Sequence, residues 1–133
     1  MFAPTFAVGI ATAVLALLFL YLSYNVIRLR QRHKVELGTG GVSELEQAIR
    51  AHGNFAEYVP LALILLYACL GIGTHSLVIY IACALLLVGR FMHAFGLLGS
   101  RGVSQGRVLG WSATALVILG LSIACVVAVV RRI

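Results

Sequence analysis

The chain has 133 residues, of which 62% are hydrophobic and 11% charged, with a formal net charge of +6 and no aspartate. A soluble domain of this length has no use for that much apolar surface, so the composition points to one integral membrane domain. The basic residues sit beside apolar runs and not among aromatic-interleaved basic patches. They therefore read as membrane-flanking charge, and nucleic acid is not an expected partner.

The first apolar run, Phe6 to Ile27, follows Pro4, a residue suited to the first turn of a helix. The predicted span is residues 5–27. It is too long for an ordinary signal-peptide core, and no Lys or Arg precedes it, so it reads as a retained membrane helix. Arg28, Arg30, Arg32, His33 and Lys34 follow, then Gly38, Gly40 and Gly41, which together suggest a basic linker. The second predicted helix covers 43–70. Ser43 with Glu46 fits a capping box at its start, and Pro60 is expected to kink it.

The apolar run Tyr58 to Leu70 has only 13 residues, whereas crossing a bilayer takes about 20. A spanning helix ending near Leu70 must therefore reach back to about Ala51. That places Asn54 and Glu57 at hydrocarbon depth, with Arg50 at the edge. At about 100° per residue, Glu46, Arg50, Asn54 and Glu57 fall near 0°, 40°, 80° and 20°, one narrow stripe. Ionisable groups at that depth normally face a protein interior or a wet cavity. His52 falls off the stripe. The third helix, 77–98, carries Arg90 and His93 three residues apart on one face. The fourth, 107–130, begins at Arg107 after a polar loop containing Arg101. Arg131 and Arg132 follow it.

Four spans put six basic residues of the first and third connections (Arg28, Arg30, Arg32, Lys34, Arg101 and Arg107) on one side. Arg131 and Arg132 lie on the other. The positive-inside rule makes the first side cytoplasmic and both termini non-cytoplasmic. With helices two and three antiparallel, Arg28, Glu46, Arg50, Asn54, Glu57, Arg90, His93 and Arg107 then converge in the cytoplasmic half. Two readings stand for this set. In one it binds a ligand bearing carboxylates and an ammonium, since arginine presents a bidentate fork. In the other, Arg50 simply neutralises Glu46 and Glu57 between helices.

Among the remaining residues, Tyr58 adjoins the stripe without a settled role. His33 and His75 read as solvated, and Phe91, Phe95 and Trp111 as packing residues. Tyr21, Tyr24 and Tyr80 suit interfacial or core positions. Cys69, Cys83 and Cys125 stand singly in apolar runs, which supports neither a disulfide nor a metal site.

The segment RAHGNFAEYVP (Arg50 to Pro60), preceded by Glu46 and set among four apolar spans, resembles the MAPEG family, membrane-associated proteins in eicosanoid and glutathione metabolism. GRFMHAF, with Arg90 and His93, is similar to that family's third-helix motif. Gln105-Gly106-Arg107 is similar to its fourth-helix start. The resemblance implies a homotrimer of four-helix bundles, in a bacterial inner membrane, binding glutathione as co-substrate near the cytoplasmic face. Arg50, Asn54, Glu57 and Tyr58 would bind the tripeptide, Glu46 would support Arg50, and Arg90 and His93 would contribute from helix three. Arg107 would stabilise the thiolate, because a neighbouring cation or helix N-terminus favours the ionised thiol. A lipophilic electrophile or hydroperoxide would arrive through the lipid. Gly53 and Leu97 depart from the arginine and tyrosine of some eicosanoid-synthesising members. The expected function is thus a broad glutathione transferase or peroxidase. The alternatives are a non-catalytic glutathione- or lipid-binding scaffold, or a transporter relaying protons through Glu57 and His93.

Overall fold

In a computed structural model, which describes residues 3–100 and 102–131, the apolar runs form four helices: α1 (Pro4–His33), α2 (Ser43–Gly71), α3 (Ser76–Leu98) and α4 (Gln105–Val130). Each of these described helices is long and apolar enough to cross a membrane. Arg101 and Arg132, two of the residues in the charge comparison, lie outside the described residues.

The helix ends differ from expectation in two places. Arg28 to His33 belong to α1 and not to a linker. Arginine is a good helix former, and cations in a last turn oppose the negative end of the helix dipole. The helix stops where Lys34 turns left-handed (φ 54°) and caps the carbonyls of Arg30 and Gln31. Arg30 then pins the connection, its Nη1 donating to the carbonyls of Glu36 and Gly38 at 3.1 Å each. The second difference is the capping box. The N-cap of α2 is Val42, and no side chain caps that end. Ser43 is already the first helical residue, one position too late to receive the bond a capping serine makes. Pro60 lies inside α2, whose helix runs on through it to Gly71.

Among the described elements, α2 and α3 each touch all of the other helices, while α1 and α4 do not meet. The core is accordingly built around α2 and α3: Phe55, Val59, Ala62 and Leu66 of α2 pack with Ile79, Leu86 and Leu97 of α3. Leu15 and Leu22 from α1 and Val117 and Leu121 from α4 close the two sides. Large apolar side chains point outward on every helix, among them Leu17, Ile64, Ile81 and Val126. That inside-out distribution suits lipid contact. Hydroxyls within the spans are absorbed by the helix backbone, as with Thr12 to the Val8 carbonyl and Thr114 to that of Gly110.

The tightest seam lies between α3 and α4. A Cβ on Gly110 would stand 2.5 Å from both the Gly89 carbonyl oxygen and the His93 amide nitrogen. One on Gly96 would stand 2.7 Å from the Arg107 nitrogen. Gly106 and Gly110 form the small-xxx-small spacing that lets membrane helices approach backbone to backbone. This seam brings the start of α4, and hence Arg107, against the end of α3.

Candidate functional site

Two adjoining cavities of about 270 and 290 Å³ open along the N-terminal half of α2, facing the end of α3 and the start of α4. Arg50, Leu97 and Arg107 line both, so together they form one cleft. Glu46 and Gln47 line the outer part, and Asn54, Glu57 and His93 the inner part. The combined space falls in the size range of small-molecule sites, which begins near ~300 Å³.

The charged groups of α2 stand exposed on the stripe that helical spacing dictates. Among the described residues the one contact at ion-pair distance is His33 Nε2 to Glu44 Oε2, at 3.8 Å, so Arg50 closes none with Glu46 or Glu57. The α2 side of the cleft therefore holds a guanidinium and two carboxylates that do not neutralise one another through direct contact.

Behind this open layer lies a buried one. Arg90 is 1% exposed, and its Nη2 donates to Asn54 Oδ1 at 3.1 Å. Its Nε and Nη1 are buried without a partner among the described residues. A buried cation with unmet donors is costly, and the Asn54 amide is the one side-chain acceptor it meets among the described residues. His93 is also buried. Its Nδ1 meets the Arg107 carbonyl at 2.8 Å, and since a carbonyl only accepts, that nitrogen carries the proton. In the neutral ring Nε2 is then the acceptor, buried without a partner among the described residues.

Arg107 is fixed on three sides. Its amide donates to the N-cap hydroxyl of Ser104 at 3.4 Å, its carbonyl receives His93, and its Nη1 donates to the Gly102 carbonyl at 2.6 Å. As the third residue of α4 it sits where the helix dipole is positive. Side-chain charge and helix end therefore act on the same part of the cleft.

The structure gathers six of the predicted residues (Glu46, Arg50, Asn54, Glu57, His93 and Arg107) along the cleft, with Arg90 directly behind Asn54. Two are not brought in. Arg28 lies exposed on α1 with its Nη2 on Asn25 Oδ1 at 3.0 Å, and Tyr58 is half-buried outside the lining, though it interacts electrostatically with Arg90 of the buried layer. His52 packs against Phe19, ring centroids 4.9 Å apart, away from the cleft. Phe95, expected to pack, lies against Phe91 and Tyr21 with ring centroids 6.1 and 6.2 Å away, while all three of Phe91, Phe95 and Trp111 keep a partly exposed face. Sequence reasoning missed the α3–α4 glycine seam, although Gly106 and Gly110 signalled it. It also missed Ser104 as the cap of α4 and His75 as the cap of α3, where Nδ1 accepts from the Leu77 amide at 3.3 Å. Leu97 and Gly53 both line the cleft, and a Cβ on Gly53 would meet nothing within 4 Å.

Fold and site define a helical membrane protein with a charged cleft near one end of its bundle. The MAPEG family profile matches residues 8–127, and the chain belongs to that family. It is 39% identical over 106 residues to the inner membrane protein YecN of Escherichia coli strain K12, covering 78% of this chain and 81% of that one. YecN of E. coli O6:H1 strain CFT073 is similar to the same extent.

Proposed function

We propose that the protein is a glutathione-dependent transferase or peroxidase of broad substrate range, working as a homotrimer in a bacterial inner membrane. The observation that carries this reading is the un-neutralised charge of the cleft. Arg50, Glu46, Glu57 and Arg107 line one space, and Arg50 closes no ion pair with either carboxylate. Glutathione offers two carboxylates, one ammonium and one thiol. The fork of Arg50 takes a carboxylate, Glu57 or Glu46 takes the ammonium, and Asn54 and His93 Nε2 orient the peptide groups. Arg107, at the positive end of α4, stabilises the thiolate, which attacks an electrophile entering from the lipid. The basic residues at the end of α1 and the start of α4 support a cytoplasmic position for the cleft. Similarity to an inner membrane protein supports that membrane as the location.

Leu97 favours a second reading. An apolar side chain lining both cavities gives a sulfur no hydroxyl there, which suits a binder without turnover. The test is conjugation of glutathione to a chlorodinitrobenzene, and reduction of an organic hydroperoxide, by the detergent-purified protein. Turnover of either substrate that falls in Arg107→Ala is expected. Glutathione binding with no turnover of either would establish the binder instead.

A further inference from the structure

At the end of the bundle opposite the cleft, two cysteines meet. Cys69, in the last turn of α2, and Cys125, near the end of α4, have their Sγ atoms 3.0 Å apart. Cys69 is fully buried and also donates to the Leu121 carbonyl of α4 at 3.4 Å, so its side chain is aimed at the Leu121–Cys125 turn. Cys125 is only half-buried and lies five residues from the end of α4. The third cysteine, Cys83, is buried in α3 and paired with neither. A disulfide bond is about 2.05 Å long, so the two sulfurs stand within about 1 Å of bonding distance.

We propose that Cys69 and Cys125 form a reversible disulfide that staples α2 to α4, made by exchange with a disulfide donor. The thiolate of Cys125 attacks one donor sulfur, forming a mixed disulfide and releasing one donor thiol. The thiolate of Cys69 then attacks Cys125 Sγ and releases the second. Two protein thiols are oxidised, one donor disulfide is reduced to two thiols, and the two protons pass to the departing thiolates. On the orientation argued above, this end of the bundle faces the compartment in which disulfides persist. Fifteen helical residues separate Cys69 from Asn54, about 22 Å along the axis. The staple thus acts on the stability of the bundle and not on the chemistry of the cleft.

The test uses the full-length protein in detergent, treated with oxidised glutathione, trapped with acid and then labelled under denaturing conditions with a polyethylene glycol maleimide. One adduct, on Cys83, is expected before reduction and three after it. Cys125→Ser should leave Cys69 open to labelling, Cys69→Ser should leave Cys125 as an unresolved glutathione adduct, and Cys83→Ser should leave the protection intact. Oxidised wild type should melt roughly 5–10 °C above the reduced form, a shift absent in Cys69→Ser. Three adducts after oxidation would overturn the proposal, as would a glutathione adduct that persists on Cys125 in the wild type.

Discussion

Asn54 carries two loads, and separating them tests the layered account of the site. It lines the cleft, and its Oδ1 is the acceptor for Arg90 Nη2 at 3.1 Å. Arg90 is 1% exposed, and its Nε and Nη1 have no partner among the described residues. Asn54→Ala therefore deprives a buried cation of its side-chain acceptor. A hydrogen bond to a charged group is worth about 1.5–3 kcal/mol. The larger loss of about 3–5 kcal/mol for a broken buried ion pair does not apply, because asparagine is neutral. The variant should thus lose about 2 kcal/mol of stability even without ligand, and its Tm should fall by roughly 5–15 °C. The decisive experiment is a double-mutant cycle, followed by thermal unfolding of ligand-free protein in detergent. With the cation replaced in Arg90→Met, the further change Asn54→Ala should cost less than about 1 kcal/mol, a coupling of at least about 1 kcal/mol. Equal cost in both backgrounds would refute the claim that Asn54 holds Arg90.

Other outcomes follow from the same geometry. Arg107→Ala should raise the thiol pKa of bound glutathione, each unit cutting the thiolate fraction at neutral pH by up to about tenfold. Thiolate absorbance against pH would show it, with Arg131→Ala, at the far end of α4, as the unchanged control. Gly110→Ala puts a methyl group 2.5 Å from the Gly89 oxygen and should cost about 1–3 kcal/mol of stability by overpacking. Gly120→Ala, which meets nothing within 4 Å, should leave Tm unchanged or slightly raised. A reporter fused after Ile133 should read as non-cytoplasmic and one inserted within residues 38–41 as cytoplasmic. The opposite pattern would invert the side of the cleft.

The helices and the polar stripe were legible because both are local. Apolar run lengths marked the spans, and helical spacing put Glu46, Arg50, Asn54 and Glu57 on one face before any neighbour was known. Distance across the bundle was not legible in that way. Cys69 and Cys125 read as isolated because 56 positions separate them, yet α2 and α4 bring their sulfurs to 3.0 Å. Arg28 was grouped with the site by its membrane level, but level does not fix azimuth, and α1 turns it outward. The bond of His93 to the Arg107 carbonyl depends on how closely α4 approaches α3. That approach is set by glycines whose only signal is the absence of a side chain. The capping box failed for a smaller reason: a one-residue shift of the helix start moved Ser43 from the cap into the helix.

The central claim is that the open charges of α2 await glutathione. Its most direct test is calorimetric titration of reduced glutathione into the detergent-purified protein, wild type beside Arg50→Ala. The account predicts saturable binding to the wild type and a loss of at least about tenfold in affinity in the variant, the equivalent of about 1.4 kcal/mol for the lost carboxylate fork. Retained Tm in Arg50→Ala would show that the loss is one of binding, since Arg50 closes no ion pair among the described residues. No saturable heat in the wild type, or equal affinity in Arg50→Ala, would contradict it.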